Sequence, residues 1–137
     1  MSRQPMDMAD PRLAQVIDAC EVGLRRLLQT GNSDVFIYAT NGHGAWEAVN
    51  VNLLGPGQTV LVANTGHFSE SWAVQVEAMG AKVIRTPWVE GYPIDASAVE
   101  QVLRADTRKE IAAVFAVHTD TASGVTSDLR ALRAAID

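Results

Sequence analysis

The sequence has one cysteine, no long apolar run and no cluster of basic residues. Cys20 has no partner for an internal disulfide, and its place in a helical apolar pattern predicts that it is buried. No segment reaches the roughly 18 to 20 apolar residues of a membrane span, and the first ten residues lack the apolar core of a secretory signal. Eleven scattered Lys and Arg residues and a net charge of -5 disfavour nucleic acid and membranes as partners. We therefore expect a cytoplasmic protein.

Several motifs of common enzyme classes are also missing. The three histidines have no metal-ligand spacing, so we expect no metal site. There is no Gly-x-Ser-x-Gly elbow of a hydrolase and no Gly-Lys-Ser or Gly-Lys-Thr phosphate loop. A dinucleotide fingerprint would need Gly or Ala in place of Glu47 and an acid in place of Asn64. A response-regulator receiver is disfavoured because the predicted strand ends carry Asn41, Asn64 and His118 rather than an acidic cluster.

A regular alternation of helices and strands is present instead. At 137 residues, 47% of them hydrophobic, the chain fits one domain with a substantial core. The periodicity predicts helices over about 11–29, 44–54, 68–79, 95–105 and 128–136, and strands over 35–40, 59–64, 81–88 and 111–118. Such alternation predicts an α/β fold with a mostly parallel sheet and helices on both faces.

Four polar segments follow the predicted strands, namely 40–44, 64–70, 86–93 and 118–124. In a parallel sheet, ligands bind outside the carboxyl ends of the strands, so a site is expected there. The turn Asn41-Gly42-His43-Gly44 comes just before a helix, where free N–H groups and the helix dipole favour an anion. The alternative is a turn whose glycines only permit tight packing.

Three further side chains at this edge are candidates for ligand binding. Phe68 is placed to stack on a planar ligand, although a core role in its helix is the alternative. Thr121 and Ser123 can donate hydrogen bonds to a ligand or can satisfy a turn. The residues alone leave these alternatives open.

Taken together, the segments resemble the class V aminotransferases, in particular the alanine-glyoxylate and serine-glyoxylate branch, which uses pyridoxal phosphate. The stretch "ATNGHGAWEAVNVNLLGPGQTVLVANTGHFSESW" resembles the family's phosphate turn, "EA" helix, "N-L-x-x-P-G-D" turn and "G-x-F/W" segment. The stretch "VHTDTASGVTSD" resembles its "H-N-E-T-S/A-T-G-V" motif. The resemblance implies a partial fold-type-I large domain. It also implies an enzyme that moves an amino group from alanine or serine to glyoxylate or a similar 2-oxo acid.

The resemblance also implies roles for individual residues. Asn41, Gly42 and His43 match the turn that holds the cofactor phosphate, Phe68 matches the aromatic that stacks on the pyridine ring, and Thr121 matches the hydroxyl that bonds near the ring oxygen. The sequence departs from the family at Thr119-Asp120, where Asn-Glu is commoner, so the shorter Asp is expected to reach a different partner. Family enzymes are homodimers, so a homodimer is expected for the full-length parent.

Family members are several-fold longer than this chain. We therefore expect residues 1–137 to be part of the cofactor-binding large domain, truncated at both ends relative to the family. The family's Schiff-base lysine and the acid beside its pyridine nitrogen lie beyond the matching region. The two lysines, Lys82 and Lys109, both precede predicted strands and so belong to the sheet edge opposite the crevice. We expect no catalytic residue in these 137 residues and no activity from them alone.

Two alternatives remain at this stage. A pyridoxal phosphate lyase of the cysteine desulfurase type shares the cofactor and the scaffold, although its phosphate turn usually reads differently. A noncatalytic, flavodoxin-like ligand-binding domain fits the length of the chain.

Overall fold

The computed structural model describes residues 4–137, which form two compact units, the first ending at Ala39 and the second spanning Thr40–Asp137. The first unit contains helix α1 (Pro11–Leu27), which begins at the predicted residue because the Asp10 carboxylate accepts the Arg12 N–H. No residue of α1 is buried, and the prediction that Cys20 is buried is wrong. The amphipathic pattern predicts which face of a helix is apolar, but not whether another element covers that face.

The predicted strand over 35–40 is not formed. Phe36 and Tyr38 are 74% and 67% exposed, and the described sheets contain no strand from this segment. A strand exists only where a neighbouring strand pairs with its N–H and C=O groups, so β-branched and aromatic composition is not sufficient.

The second unit alternates helices and strands as predicted. Its elements are α2 (Gly42–Leu53), β1 (Thr59–Ala63), α3 (His67–Ala78), β2 (Lys82–Arg85), α4 (Ala96–Ala105), β3 (Ile111–Ala116), β4 (Thr119–Asp120), β5 (Val125–Thr126) and α5 (Leu129–Ile136). The first three strands form a parallel sheet of order β2-β1-β3. After β3 the chain forms an antiparallel β4-β5 hairpin, for which the sequence pattern gives no signal.

The central strand β1 is the core of this unit. Its side chains alternate between the two faces of the sheet. Val60 and Val62 pack with residues of α3, while Leu61 and Ala63 pack with residues of α4 and α5. All four are at most 1% exposed. The predicted α/β architecture, with helices on both faces of a parallel sheet, is confirmed.

Helices α4 and α5 begin at acidic caps. The Asp95 carboxylate accepts the N–H groups of Ser97 and Ala98, and Asp128 accepts those of Arg130 and Ala131. None of the helices in residues 4–137 is long and apolar enough to cross a bilayer.

Asp95 should make the stability of the fold depend on pH. Hydrogen bonds from the Ser97 side chain and from the backbone of Ala98 and Ser97 hold the pKa of this carboxyl below its ordinary value. A lowered pKa in the folded state means that the stabilisation is present above the unfolded pKa and is lost as pH falls through the folded pKa. We expect Asp95→Ala to be less stable than the wild type at pH 7, with the difference shrinking below about pH 4.

Urea unfolding midpoints measured between pH 7 and pH 3 test this expectation. The same substitution at Asp34, which is exposed and lies outside any helix or strand, is the control. A wild-type advantage over Asp95→Ala that is as large at pH 3 as at pH 7 would contradict it.

Candidate functional site

Polar segments gather where the parallel strands end. The backbone N–H of Asn64, just after β1, donates to Oγ1 of Thr86, just after β2, at 2.9 Å. The backbone N–H of Phe68, at the start of α3, donates to Oδ2 of Asp120 in β4 at 3.1 Å. The start of α2 lies beside α3, because Nε2 of Gln75 donates to the carbonyl of His43 at 3.4 Å. Three of the segments therefore meet at the predicted edge of the sheet, while the start of α2 contacts α3 about two turns beyond the first residue of that helix.

The turn at the start of α2 combines a packing role with an open surface. Asn41 caps the helix, its Oδ1 accepting the Gly44 N–H at 3.3 Å. A Cβ at Gly44 would lie 2.0 Å from Oγ1 of Thr40, so this glycine is required for packing. A Cβ at Gly42 would meet nothing within 4 Å. The N–H groups of Gly42 and His43 donate to no protein acceptor within the described residues. Gly44 therefore has the packing role, whereas Gly42 leaves open space beside the helix start, and anion binding there stays a prediction.

The start of α2 is also electrostatically distinct. Asp10, Asp95 and Asp128 cap α1, α4 and α5, and Asp120 receives an N–H from the first turn of α3. The α2 cap, Asn41, is neutral, and its first turn holds no acidic residue. A carboxylate at a helix N-terminus offsets the positive end of the helix dipole and repels a second anion. Among the helices of residues 4–137, α2 alone keeps an N-terminus without a carboxylate.

A chain of aromatic rings connects α2, α3 and β3. The ring of Trp46 lies 4.7 Å from that of His43 and 6.4 Å from that of Phe68. On its other side Trp46 stacks on Trp72 at 5.2 Å, and Trp72 stacks on Phe115 at 4.5 Å. Phe68 is half-buried and lies outside the fully buried core. Two predicted binding residues, His43 and Phe68, thus flank one indole ring.

Trp46 was missed by the sequence analysis. A usable signal was present, since Trp46 follows His43 by three residues and therefore lies one helical turn away on the same face.

The N-cap residue of α3 is a glycine and has no side chain that could accept an N–H group. Gly66 is the N-cap, with a φ of +137° that L side chains rarely adopt. Oγ of Ser69 accepts the N–H groups of Thr65 and Gly66 at 2.9 and 3.0 Å. The N–H of Phe68 is left for the Asp120 carboxylate. Three side-chain acceptors therefore complete this helix start, because Oδ1 of Asn64 also accepts the Gly66 N–H, at 3.1 Å.

Thr121 opens the turn that joins β4 to β5 and is exposed. Oγ of Ser123 donates to the Asp120 carbonyl at 3.3 Å, so Ser123 is the hydroxyl that satisfies the turn. Asp120 itself is fully buried. The different partner expected for Asp120 is the backbone of Phe68, and this contact joins the start of α3 to the residue that precedes Thr121. Nothing in the sequence indicated this contact across 52 residues.

An ion-pair network joins β2 to α3. Arg85 of β2 pairs with Glu77 at 2.7 Å and with Glu70 at 3.1 Å, both on α3. The hydrogen bond from Arg85 lowers the pKa of Glu77, and the bond to Glu77 is the main reason that the pKa of Arg85 is raised. Since Arg85 is already bound to two carboxylates, it is not a candidate ligand for an anion.

A cavity of about 370 Å³ opens at the same edge of the sheet. It is lined by Thr65, Gly66, His67, Glu70, Trp88, Glu90, Ala122 and Ser123. None of the five residues predicted to bind cofactor lines it, although its walls include the immediate neighbours of Phe68 and Thr121. It adjoins the start of α3 and the hairpin turn rather than the start of α2.

Both lysines lie at the opposite edge of the sheet, as predicted. Lys82 begins β2 and pairs with Thr59, the first residue of β1. Lys109 precedes Ile111, the first residue of β3. Neither is placed beside Phe68 or Thr121.

No family model matches the chain. Most of the similar curated proteins are glyoxylate aminotransferases. The chain is 37% identical to the L-aspartate-glyoxylate aminotransferase of Paracoccus denitrificans, over 96% of this chain and 33% of the relative. It is 35% identical to the serine-glyoxylate aminotransferase of Hyphomicrobium methylovorum, over 96% and 32%. A protein named soluble hydrogenase 42 kDa subunit, from Anabaena cylindrica, is 36% identical, over 96% and 34%.

The fold is found in solved aminotransferase structures. The ureidoglycine-glyoxylate aminotransferase of Bacillus subtilis superposes with a TM-score of 0.78 at 24% identity, over 98% of this chain and 34% of that one. The alanine-glyoxylate aminotransferase of a Nostoc species gives 0.75. The expected partial fold-type-I domain is confirmed, and the chain spans about a third of the length of the curated relatives it matches. The chain is therefore a relative of the glyoxylate aminotransferases, as its motifs predicted, and corresponds to about a third of those proteins.

Proposed function

We propose that residues 1–137 are part of the cofactor-binding domain of a pyridoxal phosphate-dependent aminotransferase. The observation that carries the proposal is the neutral start of α2, where the N–H groups of Gly42 and His43 are free. Every other described helix has a carboxylate at its start. A phosphate is therefore best accommodated at α2, where the resemblance assigns it.

The residues present fit the two recognition parts of this cofactor. Gly42 has open space where a Cβ would stand, so a phosphate oxygen can approach the backbone closely. Phe68 is half-buried and offers part of its ring to a planar ligand, and Thr121 is an exposed hydroxyl beside the buried Asp120. When bound, pyridoxal phosphate supplies the electron sink for amino-group transfer.

The proposed reaction moves an amino group from a small amino acid, alanine or serine, to glyoxylate or a similar 2-oxo acid. The names of two relatives differ in the amino donor, aspartate or serine, but share glyoxylate. Support for the acceptor is therefore stronger than support for the donor. We place the full-length enzyme in the cytoplasm as a homodimer.

Within residues 1–137, the proposed role is binding rather than catalysis. Lys82 and Lys109 lie at the far edge of the sheet, so neither is positioned to hold the cofactor covalently. We expect these residues to bind pyridoxal phosphate noncovalently and to show no transaminase activity by themselves.

Asn41→Asp is the sharpest test of the phosphate turn. Asn and Asp cap helices about equally well, so the fold should be retained. The new carboxylate would stand beside the free N–H groups and repel a phosphate dianion. We expect the affinity for pyridoxal phosphate, measured by absorbance titration, to fall about tenfold, since two like charges at close range cost on the order of 1 kcal/mol or more.

Two controls isolate the phosphate. Pyridoxal, which lacks the phosphate, should bind Asn41→Asp and the wild type equally. Asn32→Asp makes the same change at an exposed position of the first unit and should leave both affinities unchanged. An Asn41→Asp variant that binds pyridoxal phosphate like the wild type would refute the proposed phosphate site.

The ring and lysine assignments need separate measurements. Phe68→Ala should weaken the binding of pyridoxal phosphate and of pyridoxal alike, because stacking involves the ring in both ligands. Borohydride reduction of the wild-type complex should leave no stoichiometric adduct. A specific adduct on Lys82 or Lys109 would contradict noncovalent binding.

A further inference from the structure

The buried carboxylate of Asp120 links two chain segments that are far apart in sequence. Its Oδ2 accepts the Phe68 N–H at 3.1 Å, across 52 residues, and its Oδ1 accepts the Ala122 N–H at 3.1 Å. The side chain is fully buried beneath Gly66, where an added Cβ would lie 3.5 Å from Oδ2. One oxygen therefore serves the start of α3, while the other serves the hairpin turn.

The geometry at α3 explains why a distant carboxylate is needed there. Helix starts leave backbone N–H groups without partners, and the N-cap Gly66 has no side chain to accept one. Ser69 accepts the N–H groups of Thr65 and Gly66 but not that of Phe68. A buried N–H without an acceptor is costly, so Asp120 completes the cap from the neighbouring hairpin.

We propose that Asp120 is a positioning residue, whose carboxylate holds Phe68 and Thr121 at a fixed separation by bonding to α3 and to the hairpin turn at once. The Asp120 carboxylate bonds to the backbone N–H of Phe68. It also bonds to the backbone N–H of Ala122, the residue after Thr121. The inference rests on the proposed function for the roles of Phe68 and Thr121. It adds that their spacing is set by a group that does not itself touch the cofactor.

Amide hydrogen exchange without cofactor tests the link directly. In Asp120→Ala, we expect the N–H groups of Phe68 and Ala122 to exchange about tenfold faster or more, because each loses its acceptor. The Val62 amide in β1 should exchange as in the wild type. Wild-type exchange at Phe68 in the variant would overturn the link.

Ser69→Ala is the matched control for the link. It removes the acceptor of the Thr65 N–H, so exchange should accelerate at Thr65, while Gly66 keeps Oδ1 of Asn64 as an acceptor at 3.1 Å. The Ala122 amide should stay protected, because Asp120 is unchanged. Faster exchange at Ala122 in Ser69→Ala would mean that the whole edge opens as a unit, which would overturn a specific role for Asp120.

Cofactor affinity tests the positioning role. Asp120→Asn keeps the side-chain size but places an NH₂ group against one of the two N–H donors. We expect its affinity for pyridoxal phosphate to fall about tenfold. Val99→Ala, a buried change in α4 on the other face of the sheet, should be destabilised yet retain wild-type affinity. Equal affinities for Asp120→Asn and Val99→Ala would overturn the positioning role.

The exchange measurement and the affinity measurement together separate this inference from the proposed function. A wild-type protein that binds no pyridoxal phosphate would refute the proposed function, while the exchange measurements would still decide whether Asp120 links α3 to the hairpin. Should Asp120→Ala fail to fold, Asp120→Asn replaces it in the exchange experiment, with faster exchange expected at Phe68 or Ala122.

Discussion

Leu61→Ala should lower the free energy of unfolding by about 3 kcal/mol, the typical cost of removing a fully buried leucine side chain. Leu61 is 0% exposed at the centre of β1 and packs with Ile94, Val99 and Leu132. The cost combines lost burial of apolar surface with the cavity that remains, because the sheet and two helices cannot all move in to fill it. Against a typical total of about 5 to 15 kcal/mol, this is a large fraction.

Urea unfolding followed by tryptophan fluorescence measures this difference. Leu53→Ala is the matched control, since Leu53 is 64% exposed on α2 and should cost less than about 0.5 kcal/mol. If Leu61→Ala leaves too little folded protein, Leu61→Val should lower the free energy of unfolding by about 1 kcal/mol, which is still more than Leu53→Ala. Equal losses for Leu61 and Leu53 would show that α4 and α5 do not bury this face of the sheet.

Gly44→Ala should destabilise the protein by about 2 kcal/mol, the usual scale for overpacking. Alanine is ordinarily the better helix former by up to about 1 kcal/mol, so the expected sign opposes simple propensity. The reason is steric, because the new Cβ would lie 2.0 Å from Oγ1 and 2.9 Å from Cβ of Thr40. The displaced turn should also bind pyridoxal phosphate more weakly.

Gly42→Ala separates packing from ligand approach. This Cβ meets nothing within 4 Å, so stability should be unchanged or slightly raised by the helix propensity of alanine, while cofactor affinity falls. Thr40→Gly removes the atoms that clash with residue 44, so a double-mutant cycle should return much of the stability lost in Gly44→Ala. A Gly44→Ala variant more stable than the wild type would contradict the steric argument.

The regular elements of the second unit were predictable because their signals are local. Asp95 and Asp128 begin helices through side chains that bond to backbone N–H groups two and three residues ahead. Gly80 follows the end of α3 with a φ of +88°, which glycine adopts without strain. The nearly continuous apolar run at 111–118 predicted a strand, and β3 forms within it.

The errors fall where structure depends on distant partners. The apolar face of α1 was predictable, but the exposure of Cys20 was not, because burial requires a covering element. The segment 35–40 has strand composition without a strand beside it. The two-residue strands β4 and β5 are too short to show periodicity.

The same division applies to the candidate site. The turn at Asn41 is a local cap and was predictable, as was its position at a strand-to-helix junction. The role of Asp120 depends on a contact across 52 residues, and no local pattern encodes it. The departure from the family motif marked this position as unusual without indicating its partner.

The aromatic chain from Phe115 to His43 gives the site a built-in optical reporter. The ring of Trp46 lies 4.7 Å from that of His43 and 6.4 Å from that of Phe68, so its emission should respond to a ligand bound beside either residue. Trp72 stacks on Trp46 with their ring planes 4° apart, and it also stacks on Phe115 in the buried core. Its emission should therefore respond to unfolding of the core. Fluorescence can therefore follow ligand binding and unfolding in one unlabelled sample, with Trp46→Phe identifying the part of the signal that comes from the site.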